Sequence, residues 1–229
     1  MQFIVLGKGK TGSLAAEVAR ERGHVVRAFD VDENPHASAL TKANLAGVDA
    51  LIDFTSPQAA VENMRAVLTL GGRIVVGTTG WCGSLDEMKS LAHKHGGGLL
   101  YGTNFSIGVQ KLFQLTAALA QLDGYKFTID ETHHVSKLDA PSGTALTLRE
   151  IIEAARSKTG SQGEILIASH RVGDAKGEHI VKAVSDSDTL EIRHEVKDRR
   201  CLAFGAVRGA EWLARNSGFH DFREIFDRL

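Results

Sequence analysis

Residues 2–30 read QFIVLGKGKTGSLAAEVARERGHVVRAFD, and they indicate how the chain begins to fold. The apolar run after Met1 predicts a short strand, and the spacing of small apolar residues over 13–22 predicts a helix. Three glycines stand between these elements, in the order and spacing of a turn that binds the pyrophosphate of a dinucleotide. The first permits a tight turn, the second a close approach of backbone to phosphate, and the third close packing of helix on strand: Gly7, Gly9 and Gly12.

A second strand is predicted over 24–29, and it ends at Asp30. This carboxylate follows the glycine turn by about 20 residues, where an acidic side chain can bind the ribose hydroxyls of adenosine. The alternative for Asp30 is an ordinary turn residue after a strand.

Strands and helices continue to alternate up to residue 105. Further strands are predicted over 48–54, 73–76 and 99–101, and helices over 57–70 and 85–95. Strict alternation favours a Rossmann-like, doubly wound parallel sheet that binds ligands at the carboxyl ends of its strands. The turns there could hold the nicotinamide half of a cofactor or be ordinary turns. The predicted cofactor-binding residues are Gly7, Lys8, Gly9, Lys10, Thr11, Gly12, Asp30, Gly77, Thr78, Thr79, Gly102, Thr103, Asn104 and Phe105.

The pattern changes after Ser106, because strands now follow one another with few helices between them. Strands are predicted over 127–133, 164–170, 178–184 and 189–195, and helices over 109–122, 144–155 and 199–215. We therefore predict an α/β protein with a second, α+β domain built on a mixed, mostly four-stranded sheet. The dinucleotide-binding domain would comprise 1–106 and 209–229, and a substrate-binding and oligomerisation domain 107–208. Helices on one face of this sheet would leave the other to be buried by self-association.

Residues 129–146, IDETHHVSKLDAPSGTAL, gather groups that can hold negative charge. His133 and His134 can each be protonated near neutral pH, and Lys137 carries a positive charge. The free amides at a helix start formed by Ser142, Gly143 and Thr144 would bind an anion. A surface histidine and an ordinary helix cap are the alternatives for each feature alone, whereas their combination favours a site for a carboxylate or phosphate.

A cationic loop joined to a nicotinamide site suggests hydride transfer to or from a small carboxylate-bearing molecule. Side chains alternate along a strand, so His133 and His134 would face opposite ways, one transferring a proton while the other binds a carboxylate. Lys137 could protonate the substrate or attract its charge. Adjacent histidines are poor partners for one metal, and we expect none. Neither Tyr-x-x-x-Lys nor Gly-x-Ser-x-Gly occurs, which argues against two other catalytic types.

Composition excludes several classes of partner. The net charge is −1, with 43% hydrophobic and 24% charged residues, which gives no basic surface for nucleic acid or membranes. No long apolar run or basic leader is visible, and Cys82 and Cys201 are too few for a disulfide framework. We expect a cytoplasmic protein that binds neither nucleic acid nor membrane.

Several strings together resemble the dihydrodipicolinate reductase family, also called 4-hydroxy-tetrahydrodipicolinate reductases, of diaminopimelate and lysine biosynthesis. The most specific is HHVSKLDAPSGT, residues 133–144, and the likeness covers nearly the whole chain. Other matching strings are GTTG (77–80), NFSIG (104–108), RVGDAKGEH (171–179), FGAV (204–207) and WL (212–213).

The resemblance implies NAD(P)H-dependent reduction of a cyclic dicarboxylate to tetrahydrodipicolinate by a homotetramer joined through its substrate domains. It implies that His133 donates or accepts a proton, that Lys137 donates one, and that His134, Gly143 and Thr144 contact substrate carboxylate. The coenzyme stays open between NADH and NADPH: Val31 stands where an arginine would suit a 2′-phosphate, yet Lys8 and Lys10 could attract one.

Two other hypotheses remain open from the residues. One is an NAD(P)-dependent dehydrogenase of an amino acid or semialdehyde, and the other is a non-catalytic NAD(P)-sensing module.

Overall fold

The structure, a computed structural model, describes residues 1–159 and 163–229. The described chain divides into two compact units, unit 1 (Met1–Ile107 with Arg200–Leu229) and unit 2 (Gly108–Arg199). None of the described helices is long and apolar enough to cross a membrane. The elements are β1 (Gln2–Leu6), α1 (Lys10–Glu21), β2 (Val25–Phe29), α2 (Lys42–Leu45), β3 (Ala50–Asp53), α3 (Pro57–Thr69), β4 (Arg73–Val76), α4 (Leu85–His95), β5 (Gly98–Tyr101), α5 (Ile107–Leu119), β6 (Lys126–His133), α6 (Gly143–Thr159), β7 (Leu166–Arg171), β8 (Glu178–Val184), β9 (Thr189–Glu195), α7 (Arg200–Leu213), β10 (Gly218–Asp221) and α8 (Phe222–Ile225).

Unit 1 is built on a parallel sheet of six strands in the order β10-β5-β4-β3-β1-β2. In one apolar cluster, small residues of α1 and α7 pack against one face of the sheet. In a second cluster, α3 and α4 pack against the other face. The central strands are mostly apolar, as is typical of strands with both faces buried. The predicted Rossmann-like, doubly wound sheet is confirmed.

The glycine turn is shorter than the sequence pattern suggested. Helix α1 begins at Lys10 rather than at residue 13, because Gly9 adopts the extended N-cap conformation and its carbonyl accepts the first helical hydrogen bond, from Ser13 N at 2.9 Å. Lys10, Thr11 and Gly12 therefore form the first helical turn.

The return of the chain to unit 1 also differs in detail. The sequence predicts it at residue 209, whereas the two compact units divide before Arg200, because α7 is one continuous helix and its buried Ala, Val and Leu side chains all belong to a unit 1 cluster. The sequence reading missed β10, which adds a sixth strand beside β5. Its four residues are too few for an alternating pattern to identify.

Unit 2 contains a mixed sheet of four strands in the order β7-β6-β8-β9. Strands β6 and β7 are parallel, and the other pairs are antiparallel. Helices α5 and α6 pack with one face of the sheet in a single apolar cluster. The mixed four-stranded sheet is thus confirmed. Strand β6 directs four side chains to the covered face: Phe127, Ile129, Glu131 and His133.

Gly12→Ala will destabilise unit 1. An added Cβ would lie 1.9 Å from the carbonyl oxygen of Gly7, a backbone atom that can move only with the turn itself. We expect the free energy of unfolding in urea to fall by about 3 kcal/mol.

Gly9→Ala is the matched control within the same turn, since its Cβ would meet nothing within 4 Å. It should cost at most about 1 kcal/mol, the scale of a helix N-cap. Equal losses for the two variants would contradict this account of Gly12.

Candidate active site

A cavity of about 680 Å³ lies in unit 1 at the carboxyl ends of β1, β2 and β3. Among the predicted cofactor-binding residues, Gly7, Lys8, Gly9 and Asp30 line it. Asp30 is exposed and directly follows β2. The remaining predicted cofactor residues are not in the lining of this cavity: Lys10, Thr11, Gly12, Gly77, Thr78, Thr79, Gly102, Thr103, Asn104 and Phe105.

The glycine turn leaves room for a phosphate group. Gly7 has a φ of +90°, and a Cβ there would lie 2.4 Å from the carbonyl oxygen of Phe54. Space is open around Gly9, and α1 begins there without a hydrogen bond from a capping side chain. The first amides of a helix have no intrahelical partners, so those of α1 can bind a pyrophosphate. These residues fit a dinucleotide.

A buried carboxylate organises the predicted nicotinamide turn. Asp53, fully buried at the end of β3, accepts hydrogen bonds from the hydroxyls of Thr55 and Thr78 at 2.8 Å and from the amide of Asn63 at 2.8 Å. Burial raises the pKa of Asp53, although these hydrogen bonds lower it in part. Asp53 thus holds Thr78 in place between Gly77 and Thr79, a role that sequence reasoning missed.

Part of the turn after β5 is buried in the core of unit 1. The ring of Phe105 is buried and packs on that of Phe222, with centroids 4.5 Å apart. The side-chain oxygen of Asn104 accepts a hydrogen bond from Ser106 N at 2.9 Å. Thr79 and Thr103 are exposed. Cofactor contacts by these residues stay a prediction.

Unit 2 brings His133 against a buried acid. The Nδ1 atom of His133 lies 2.6 Å from Oε2 of Glu131, and among the described residues neither atom has a partner in hydrogen-bond geometry. Burial raises the pKa of Glu131, but hydrogen bonds from Ser169, Ser142 and Arg171 outweigh it and lower the pKa to about 2. Glu131 is therefore an anion at neutral pH.

The pKa of His133 is lowered from its usual value. Burial is the largest cause, and the positive charges of Lys137 and Arg171 act in the same direction. The carboxylate of Glu131 opposes them. His133 is thus easily deprotonated, which is a useful property in a proton-transferring group.

The start of α6 is fixed to the same acid. Ser142 N donates to Oε1 of Glu131 at 3.2 Å, and the Ser142 hydroxyl accepts from Ala145 N at 3.2 Å as the N-cap. Ser142 is buried, while Gly143 is exposed and Thr144 is half-buried. The first-turn amides of Gly143 and Thr144 have no intrahelical partner and can bind an anion.

Lys137 and His134 lie in the loop between β6 and α6. Lys137 Nζ contacts Asp139 at 2.7 Å, and His134 Nδ1 lies 2.8 Å from the Ser136 hydroxyl. His133 and His134 have different partners, and the predicted division of roles between them stays a prediction. Arg171 Nε donates to the carbonyl of Lys137 at 3.4 Å, and its NH2 group donates to the carbonyl of Asp139.

Sequence reasoning missed three polar residues of this cluster: Glu131, Arg171 and His179. The Nε2 atom of His179 lies 3.0 Å from the Ser142 hydroxyl, and burial, aided by the charge of His133, lowers the pKa of His179 to about 4. A signal existed in the sequence, because Glu131 continues the alternating series of Phe127 and Ile129 and must share their buried face.

Glu131, His133 and His179 each place a possible ligand atom within 4.8 Å of the others, which is compatible with a metal ion. The 2.6 Å contact between Glu131 and His133 is closer than two ligands of one tetrahedral zinc, which stand about 3.3 Å apart at bond lengths near 2.0 Å. We interpret the contact as an ion pair. The absence of a metal stays a prediction.

A glycine-turn parallel domain combined with a second domain that carries a histidine, a lysine and a free helix start defines a dinucleotide-dependent oxidoreductase class. Residues 1–105 match the family model described as "Dihydrodipicolinate reductase, N-terminus", and residues 108–226 match "Dihydrodipicolinate reductase, C-terminus". The chain belongs to the dihydrodipicolinate reductase family.

Two curated relatives match this chain over nearly its full length. The chain is 33% identical to the 4-hydroxy-tetrahydrodipicolinate reductase of Christiangramia forsetii, with 100% of this chain and 99% of the relative covered. It is 34% identical to the enzyme of that name from Natronomonas pharaonis, with 98% and 99% covered. The fold matches the dipicolinate-bound dihydrodipicolinate reductase from Paenisporosarcina sp. TG-14 at a TM-score of 0.83 and 22% identity, with 98% and 99% covered.

Proposed function

We propose that the chain catalyses the NAD(P)H-dependent reduction of hydroxy-tetrahydrodipicolinate or dihydrodipicolinate to tetrahydrodipicolinate in lysine and diaminopimelate biosynthesis. Unit 1 is the dinucleotide-binding domain, and unit 2 binds substrate and forms the oligomer. The observation that carries this proposal is the 2.6 Å contact of His133 with buried Glu131 beside the free start of α6. The family membership and the dicarboxylate ligand of the structurally similar reductase support it.

Substrate binding depends on the start of α6 and on the loop before it. The amides of Gly143 and Thr144 donate to one carboxylate of the substrate, and the helix dipole adds a favourable charge. Ser142 keeps these amides in place, because its own side chain caps the helix. The imidazole of His134 binds carboxylate from the adjoining loop.

Proton transfer belongs to His133 and Lys137. A bound dianion raises the affinity of His133 for a proton, which offsets its lowered pKa. Glu131 stabilises the imidazolium form through the 2.6 Å contact at Nδ1. Residues of unit 1 would hold the reduced coenzyme, which would supply the hydride. Reduction of dihydrodipicolinate adds this hydride and one proton to the ring, whereas in the hydroxy compound the hydroxyl takes the proton and leaves as water. His133 and Lys137 are the two groups that would donate the proton.

We propose NADH as the preferred coenzyme. The cations in the cavity lining are engaged: Lys8 pairs with Glu33, and His36 Nδ1 lies 3.3 Å from Glu62. The exposed carboxylate of Asp30 suits ribose hydroxyls and repels a 2′-phosphate. Val31, which follows it, is 66% exposed and offers no charge.

We propose a homotetramer joined through the open face of the unit 2 sheet. Helices α5 and α6 cover only the other face, and the open face carries Ile180 on the central strand β8, with Leu166 exposed on β7. Charges of both signs accompany them, including Lys182 at 3.5 Å from Asp130. We also infer a cytoplasmic location, with which two free cysteines are compatible.

His133→Gln will lower kcat by a factor of about 100 or more, the scale of lost general acid catalysis. The assay follows the absorbance of reduced nicotinamide in the presence of the condensation product of pyruvate and aspartate semialdehyde. His134→Gln should instead raise the Michaelis constant for that substrate.

His93→Gln, on the exposed surface of α4, is the control and should leave turnover unchanged. Unaltered turnover in His133→Gln would reject the assigned role. Cofactor binding by the unaltered protein without oxidation would favour the sensing module, and oxidation only with an amino acid or semialdehyde would favour the other dehydrogenase class.

Val31→Arg will shift coenzyme use toward NADPH. The unaltered protein should show a higher kcat/KM with NADH, and an arginine beside Asp30 should raise the ratio of NADPH to NADH use about tenfold through a charge-assisted pair with the 2′-phosphate. Val25→Arg is matched in exposure, 65% against 66%, but lies outside the cavity lining and should not alter the ratio. A preference for NADPH in the unaltered protein would count against the proposal.

Light scattering should give a mass about four times the 24.7 kDa of one chain. Ile180→Glu places a charge in the centre of the open face and should dissociate the tetramer, because burying an unpaired charge is costly. Val25→Glu, exposed in unit 1, should leave the mass unchanged. A monomeric mass for the unaltered protein at micromolar concentration would rule the assembly out.

A further inference from the structure

Glu131 stands in a polar row that crosses the covered face of the unit 2 sheet. The strand register sets Glu131 opposite Ser169 on β7 and opposite His179 on β8, and His179 in turn opposite His194 on β9. The next position along β6 on this face, His133, stands opposite Arg171. Farther back, β6 directs only apolar side chains to this face. The polar end of the sheet is therefore continuous with the candidate site.

Both oxygens of Glu131 are engaged. Oε1 accepts from Ser142 N at 3.2 Å and from the NH2 group of Arg171 at 3.0 Å, and Oε2 lies 2.6 Å from Nδ1 of His133. The side chain has no exposed surface. A carboxylate so deeply buried keeps its charge only when partners of this kind surround it.

Arg171 extends the same connection to the loop that carries Lys137. Its guanidinium reaches Glu131 and also the carbonyls of Lys137 and Asp139. One carboxylate is thus tied to three parts of the site, namely the imidazole of His133, the start of α6 at Ser142, and the lysine loop.

We propose that Glu131 is a positioning residue that fixes His133 with Nδ1 directed inward, so that Nε2 is the atom that exchanges a proton with substrate. Through Arg171 and Ser142, the same carboxylate also fixes the positions of the loop that carries Lys137 and of the carboxylate-binding start of α6. This inference rests on the proposed function of His133. It assigns the tautomer: above its pKa, the neutral imidazole carries its hydrogen on Nδ1, where the carboxylate accepts it.

The expected pH effect follows from the charges that face His133, which are those of Glu131, Lys137, Arg171 and His179. Glu131 is the one anion among them and raises the pKa of His133, whereas burial and the cations lower it. Removing the carboxylate charge must therefore lower that pKa further. A rate that needs the imidazolium then declines at a lower pH than before.

Glu131→Gln tests the proposal with little change in shape. The carbonyl oxygen of glutamine can still accept from Ser142 N and Arg171, so the Michaelis constant for the dicarboxylate should change less than about threefold. Its NH2 group, however, faces Nδ1 as a donor and favours the tautomer with hydrogen on Nε2. We expect kcat at pH 7 to fall about 100-fold and the declining limb of log kcat against pH to move to lower pH.

Side-chain ¹⁵N spectra of labelled histidine give an independent readout. In the unaltered protein, neutral His133 should show Nδ1–H, and in Glu131→Gln it should show Nε2–H. NADH affinity reports that unit 1 is folded, and a Michaelis constant for the dicarboxylate within about threefold of that of the unaltered protein reports that unit 2 is folded. An Nε2–H tautomer in the unaltered protein overturns the proposal even if the variant does not fold.

A failure of the role assigned to Glu131 can be distinguished from a failure of the proposed function. Full activity of His133→Gln would remove the proposed function itself. An inactive His133→Gln together with a Glu131→Gln that keeps the rate, the pH profile and the tautomer of the unaltered protein would overturn only the role of Glu131.

Discussion

The charge of Glu131 is the constraint on which the arrangement of unit 2 depends. A carboxylate without solvent contact must be compensated, and the available partners are Arg171, Ser142 N and His133. Satisfying it forces a strand end, a helix start and a loop to meet within hydrogen-bond reach of one side chain. The same contacts determine where the first amides of α6 and the imidazole of His133 lie relative to each other.

Unit 1 also has a buried carboxylate near the end of a strand, but there the pKa shift has the opposite direction. Asp53 ends a central strand and accepts hydrogen bonds from neutral donors, so burial dominates and its pKa is raised. Glu131 has a guanidinium and an imidazole beside it, and its pKa is lowered to about 2. The first acid organises turns at the edge of a parallel sheet. The second also places a negative charge beside the imidazole of His133.

Much of the fold could be predicted because its signals are local. Apolar runs, glycine turns and helical stripes predicted the parallel sheet of unit 1 and the strands of unit 2. β10 was missed because it is short and its pairing with β5 is distant in sequence. In the candidate site, His133 and Lys137 could be predicted because basic residues cluster in one loop of the sequence. Arg171 and His179 were missed because they come close to Glu131 only through the register of β6 with β7 and β8, which the sequence does not show.

By itself the sequence determined the two-domain α/β class, the glycine turn, the cationic loop and the family, since each is written in residues close together along the chain. Only the tertiary structure decided that Glu131 pairs with His133, that Ser142 is engaged in capping, and that Phe105 belongs to the core. These outcomes depend on strand register and burial. They decide whether a polar atom faces solvent, a substrate or another part of the protein, and no local pattern carries that information.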